Sequence, residues 1–231
     1  MLKRYPWSVL TLGFALAIAG CSTPLIPTPA TPVTPEPTNL TIRKRQVVAY
    51  VNSGKYAQEI ARVALEANKH LVKRAPKLAA TDRKLAVVFD IDETTLTNYR
   101  HILSNDFGYV PKIWDSWVEE GLAHAIIPVQ TVYDTAVRLK IDVFFITGRK
   151  ESERAATERN LREVGYETWT GIHFMPVNFE GTTRGFKTDI RRKLAADGYL
   201  ILANVGDQSS DLEGGYAERT FKLPNPFYLI D

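Results

Sequence analysis

Four short segments hold residues that could do chemistry. The first, "VVFDIDETTLTN", puts Asp90 and Asp92 two residues apart behind an apolar run. Two carboxylates this close repel one another unless a cation or a proton lies between them. The pair therefore needs a metal, or one member must stay protonated. Taken alone, the same spacing also fits a turn in which Asp92 caps the next segment. In "FFITGRK", Thr147 offers a hydroxyl, and Gly148 lets backbone amides approach an anion. An ordinary strand-end turn would carry the same residues without a ligand. Lys187 follows the Gly-rich "FEGTTRGFK", with Arg184, Arg191, Arg192 and Lys193 nearby. A solvated basic face would look similar, but Arg191 shares the helical face of Lys187, while Arg192 and Lys193 do not both share it. In "LANVGDQSSDLEGG", Asp207 follows Gly206 and Asp211 lies four residues on. Both could cap a short helix. Counted with Asp90 and Asp92 they make an oxygen-rich set suited to a hard cation such as magnesium.

The elements that must position these residues follow from periodicity. From about Thr41, apolar residues recur at helical intervals through Leu71, with a break near Asn52–Gly54 and an end at Pro76. "LAVVFD" at 85–90 reads as a buried strand, "VQTVYDTAVRLK" at 129–140 as an amphipathic helix and "IDVFFIT" as a second strand. "ESERAATERNLREV" is a charged helix closed by Gly165, and the helix start near Glu151 adds a weak positive dipole end beside the second strand. "GIHFM", "YLILANVG" and "RTFKL" complete the strands, and "FKTDIRRKLAADG" is a helix. Alternation of this kind predicts a parallel sheet covered by helices on both faces. Ligands in such sheets bind beyond the carboxyl ends of the strands. That is where all four polar segments fall.

In this order and at these strand ends, the set Asp90-x-Asp92-x-Thr94, Thr147, Lys187 and Gly206-Asp207-x-x-x-Asp211 resembles the haloacid dehalogenase (HAD) superfamily of phosphohydrolases. Within it, the string from Asp90 through Asn98 is similar to the acid phosphatases, both the bacterial class C lipoprotein enzymes and the plant acid phosphatase and vegetative storage protein group. The resemblance covers about residues 41–231. Class C enzymes commonly carry Asn where this chain has Gly148, and "TGR" looks more like the plant branch. The resemblance implies a Rossmann-like α/β fold with a small helical cap and a magnesium-dependent acid phosphatase acting on small phosphomonoesters. It also implies Asp90 as a nucleophile that forms an aspartyl-phosphate and Asp92 as the acid and base. Thr147, Gly148 and Lys187 would bind phosphate, and Asp90, the Asp92 backbone carbonyl, Asp207 and Asp211 would hold the metal.

Composition sets the remaining bounds. The chain has 231 residues, 45% of them apolar and 24% charged, with a formal charge of +3. That suits one substantial globular domain. Lys3 and Arg4 precede "VLTLGFALAIAG", an apolar run too short to cross a bilayer comfortably, so residues 1–20 read as an export signal. Without that segment the chain is close to neutral and has no field that calls for a nucleic acid polymer. Cys21, the single cysteine, follows in "AIAGC", which resembles the lipobox of bacterial lipoproteins. A free thiol behind an ordinary signal is the alternative. Lipidation would anchor the protein in the cell envelope, and Ser22 looks like outer-membrane sorting. "STPLIPTPATPVTPEPTN" at 22–39 is a Pro/Thr spacer, leaving 41–231 as the domain.

Between the first two motifs lies a candidate cap, residues 99–127, with Tyr99, Phe107, Tyr109, Trp114 and Trp117. Its rings could stack on a nucleobase, or could simply pack the cap onto the core. The histidines (His70, His101, His124, His173) show no metal-ligand spacing. Two other functions stay open: a phosphotransferase, and a weakly active or inactive binding or storage lipoprotein.

Overall fold

The computed structural model describes residues 36–78 and 83–230. The expected signal, the Cys21 site and most of the spacer lie outside the described residues. All elements below belong to the unit Thr38–Asp231.

Helix α1 (Leu40–Asn52) starts at Asn39, whose side chain accepts a hydrogen bond from the Thr41 amide at 2.9 Å. The chain breaks at Ser53 and Gly54, where Gly54 has φ +78°, and re-forms as α2 (Lys55–Arg74). Tyr56, Ile60, Val63, Ala64, Ala67 and Leu71 bury one stripe of α2 before a 3-10 turn at Ala75–Leu78. Five strands then form one parallel sheet: β1 (Lys84–Phe89), β4 (Asp142–Lys150), β5 (Gly171–Met175), β6 (Tyr199–Gly206) and β7 (Thr220–Lys222). Their spatial order is β5-β4-β1-β6-β7. From β1 the chain builds outward through β4 and β5, then returns to the other side of β1 as β6. The strand order therefore reverses between β1 and β6, and a crevice opens there at their carboxyl ends.

Both faces of the sheet are covered. Val87 and Phe89 of β1 pack with α2 and α5 (Ile127–Arg138), while Ala86 and Val88 pack with Phe186 and Leu194 of α7 (Thr183–Ala196). This alternation is the two-residue period of a strand buried on both sides. Helix α6 (Arg154–Glu163) follows a 3-10 turn at Glu151–Glu153, so the helix expected to start at Glu151 begins one turn later. It ends before Gly165, at φ +96°.

The segment between β1 and α5 holds elements that periodicity did not reveal. A two-residue antiparallel pair joins β2 (Leu96–Thr97) to β3 (His124–Ala125). Between them run α3 (Tyr99–Ser104) and α4 (Pro111–Glu120), the latter stopped by Gly121 at φ +68°. Helix α8 (Ser209–Leu212) is a single turn after β6.

Candidate active site

Strand β1 delivers Asp90 to the crevice, its amide donating to Val205 O on β6 at 3.0 Å. A tight turn follows. The Ile91 carbonyl accepts from the amides of Thr95 and Leu96, both at 2.9 Å, while the Ile91 side chain is fully buried. The Thr95 hydroxyl donates to the Asp90 carbonyl. With Ile91 pointing inward, Asp90 and Asp92 both line the cavity above the sheet. Glu93 takes φ +53°, a conformation that an L residue adopts only when its surroundings hold it. Its buried carboxylate accepts from the Asn98 amide at 2.6 Å and the Tyr228 hydroxyl at 2.6 Å. Burial, aided by Asp92, pushes the Glu93 carboxyl up to about 7 against those two hydrogen bonds.

Strand β6 supplies the other acids. Asp207 accepts from Thr94 Oγ1 at 2.9 Å, Gln208 Nε2 at 2.7 Å and Asn225 Nδ2 at 2.7 Å. Asp211, on α8, accepts the Gln208 amide at 2.8 Å through Oδ2. Its Oδ1 takes Lys187 Nζ at 2.6 Å, and the same ammonium donates to Asp90. Gly206 is required by this packing. A Cβ there would overlap the Asp211 side chain, coming within 2.6 Å of Oδ2. Arg191, one helical turn beyond Lys187 on α7 and fully buried, donates to the Asp211 carbonyl at 2.6 Å and to the Glu213 carbonyl, fixing the loop that carries the acids.

Carboxylate oxygens of Asp90, Asp207 and Asp211 lie within 4.8 Å of one another, and all three residues are buried. Burial and Asp211 hold the Asp90 carboxyl well above its usual range, with Lys187 opposing. Burial, Asp211 and Glu93 push Asp207 up to about 7. For Lys187, burial opposes the charge, but Asp211 and Asp90 outweigh it and keep the ammonium protonated. Three acids around one cation leave an excess of buried negative charge. An all-oxygen set of this kind fits a hard divalent ion.

Above the acids is a cavity of about 420 Å³. Asp90, Lys187, Asp207 and Asp211 line it together with Gly148 and Arg149 at the end of β4. The walls come from the α3–α4 segment, including Phe107, Tyr109 and Trp114, and from the chain's last described residues, Phe227–Ile230. The aromatic segment thus divides. Trp114 and Tyr109 face the cavity, whereas Trp117 stacks on His101 and donates its indole N–H to Asn98 Oδ1 at 2.8 Å.

Of the residues singled out by sequence, Asp90, Lys187, Asp207 and Asp211 converge. Asp92 and Gly148 lie on the same cavity, but the Asp92 carboxylate stands apart from the acid trio and faces Arg149 and Asn98. Thr147 is fully buried, and its hydroxyl oxygen accepts the Arg149 amide at 3.0 Å. Sequence reasoning missed Arg149, Asn98, Glu93, Gln208, Asn225 and Tyr228. Arg149 sat in the "TGR" string already in view, but neither its type nor its spacing showed which carboxylate it would meet.

A parallel sheet whose strand-order reversal gathers three buried carboxylates and one ammonium on the floor of one cavity defines an α/β protein with its polar site beyond the strand ends. Comparison with known proteins narrows this class to a family. Residues 32–231 match the family model described as HAD superfamily, subfamily IIIB (acid phosphatase), and the chain belongs to that family. It is 33% identical over 189 residues to acid phosphatase 1 of Solanum lycopersicum, covering 80% of this chain and 73% of that protein. It is 37% identical over 150 residues to the stem 28 kDa glycoprotein of Glycine max, covering 62% of this chain and 59% of that one. The chain thus spans between about three fifths and three quarters of the length of these curated relatives. Among solved structures, the class C acid phosphatase from Bacillus anthracis superposes with a TM-score of 0.67 at 24% identity, covering 82% of this chain and 87% of that one, a likeness of fold.

Proposed function

We propose that the chain is a magnesium-dependent phosphomonoester hydrolase that works through an aspartyl-phosphate on Asp90. The observation that carries this reading is the Lys187 ammonium set between Asp90 and Asp211 on the floor of a cavity open to a small ester. Lys187 orients the Asp90 carboxylate for in-line attack on phosphorus and offsets charge on the phosphoryl oxygens. Backbone amides around Gly148 hold those oxygens. Asp92, on the same cavity, protonates the leaving alcohol and then takes a proton from the attacking water. Asp90, the Asp92 backbone carbonyl, Asp207 and Asp211 are the residues that would hold magnesium, which supplies positive charge against the transferring group. Trp114 and Tyr109 suit the flat base of a nucleoside monophosphate as the ester's alcohol part.

The test is hydrolysis of 4-nitrophenyl phosphate by the full chain with magnesium, with EDTA and as Asp90→Asn. Turnover that needs both the metal and Asp90 is expected. A folded Asp90→Asn variant with undiminished turnover would sink the nucleophile assignment.

The address of the protein rests on sequence. We infer an export signal over 1–20 and lipid attachment at Cys21, anchoring the domain at the outer membrane through the Pro/Thr spacer. Fractionated cells should carry the protein in membranes and release it on Cys21→Ser. Equal membrane recovery of the two forms would count against the anchor.

A further inference from the structure

The guanidinium of Arg149 is buried in a site that already holds a cation, yet it does not join the acid trio. It faces Asp92. Its Nη2 donates to Asp92 Oδ1 at 2.8 Å, and its Nε lies 3.1 Å from Oδ1 and 3.2 Å from Oδ2. Nη1 is used elsewhere, donating to Thr157 Oγ1 on α6 at 2.9 Å. The plane rests against the Trp114 ring, 5.5 Å from its centroid, and Trp114 is itself tied by its indole N–H to Glu153 at 3.0 Å. Burial opposes charge on Arg149, but Asp92 outweighs it, so the group stays a cation.

The two oxygens of Asp92 are served unequally. Oδ1 receives Arg149 Nη2, Arg149 Nε and Asn98 Nδ2, the last at 2.8 Å. Asn98 is held in turn by Glu93 and Trp117. Among the described residues, Oδ2 has only the longer contact from Nε. A carboxyl clamped through one oxygen presents the other in a fixed direction. Asp92 needs such a clamp, because its side chain is 19% exposed, against 7% for Asp90, which Lys187 already holds.

We propose that Arg149 is a positioning residue for proton transfer, fixing Asp92 through Oδ1 so that Oδ2 carries the proton to the leaving group. This rests on the phosphatase reading above. In the step concerned, the Asp90 oxygen bonds to phosphorus as the bond from phosphorus to the ester oxygen breaks. The proton on Asp92 Oδ2 passes to that oxygen, so the alcohol leaves neutral and Asp92 is left as a carboxylate.

Leaving-group dependence tests this. Nitrophenolate departs without a proton, and an alkoxide does not. The quantity to read is kcat/KM, which covers events only through the first bond cleavage and is blind to the later hydrolysis common to both esters. Wild type, Arg149→Gln, Arg149→Lys and Asp92→Asn would be compared on 4-nitrophenyl phosphate and propyl phosphate with magnesium. General acid catalysis is worth about 10²–10⁴-fold. Arg149→Gln should therefore lose about 10–100-fold on the propyl ester and under about 3-fold on the aryl ester, with Arg149→Lys between it and wild type. Asp92→Asn should show the same preference more strongly, and adding Arg149→Gln to it should not deepen the preference. Equal losses on both esters, in variants whose circular dichroism and melting match wild type, would reduce Arg149 to packing and overturn the proposal. If Arg149→Gln does not fold, the ratio for Arg149→Lys decides in the same way. Wild type inactive on both esters, or Asp90→Asn fully active, overturns the phosphatase reading and this inference with it.

Discussion

Replacing Lys187 by methionine removes the single ammonium from among three buried acids while nearly keeping its volume. The wild-type group reaches Asp211 Oδ1 at 2.6 Å and also pairs with Asp90, at a position 3% exposed. Removing one partner of a buried pair costs about 3–5 kcal/mol because the other charge is stranded. That sum applies at pH 7.5 without metal. At lower pH the acids escape by taking up a proton. The Asp90 carboxyl already lies well above its usual range, through burial and Asp211, and loses its one opposing influence in the variant. An acid raised in the folded state keeps its proton there while the unfolded chain gives it up, so stability falls as pH climbs towards the folded value. One extra proton retained across the 2.5 units from pH 5 to 7.5 is worth up to about 3 kcal/mol. Urea unfolding in EDTA, followed by tryptophan fluorescence, should show Lys187→Met losing about 3–5 kcal/mol at pH 7.5 and much less at pH 5. A loss below about 1 kcal/mol at both pH values, or an equal loss at both, would refute the reasoning.

Further outcomes follow from the same geometry. Gly206→Ala should cost about 1–3 kcal/mol by urea unfolding and weaken magnesium binding by calorimetry, because the new methyl group displaces Asp211. Trp114→Ala should lower kcat/KM on a nucleoside monophosphate more than on 4-nitrophenyl phosphate. Trp117→Ala should instead lower stability by about 2–3 kcal/mol with little change in that ratio, since its indole serves Asn98. For the metal-free wild type, Glu93 and Asp207 both sit at about 7. The folded chain then binds more protons than the unfolded one between about pH 4 and 7, so its melting temperature should fall from pH 5 to 7.5. Magnesium, held by the folded cluster as proposed above, should restore it at pH 7.5.

How much of this could be read from sequence depends on the range of the interaction. Strands β1, β4, β5, β6 and β7 and helices α2, α5, α6 and α7 follow from apolar period and punctuation, because burial on one face or two writes itself into the neighbouring residues. The site's four acids and Lys187 were legible because each falls at a strand end or helix start. By contrast, β2 and β3 are two residues each, and pairing across 124 to 97 leaves no period to detect. Arg149, Asn98 and Tyr228 escaped for a different reason. Their work is to touch the acids across up to 135 residues of chain, as Tyr228 does at Glu93. Residue type alone cannot say which partner a buried polar group will find. Thr147 illustrates the same limit: the strand expected to end there runs on to Lys150, and the hydroxyl turns towards its own chain at Arg149.

The small pairing of Leu96 and Thr97 with Ala125 and His124 has an evolutionary meaning. Chain that departs and returns through an antiparallel pair has its two ends clasped about 5 Å apart, whatever lies between them. Lengthening such an excursion costs little, about 0.6 kcal/mol for each doubling. The excursion here contributes Tyr109 and Trp114 to the cavity but no member of the acid trio. Selection can therefore redraft the walls of the cavity by rewriting one hinged paragraph, while the sheet that carries the acid trio keeps its text.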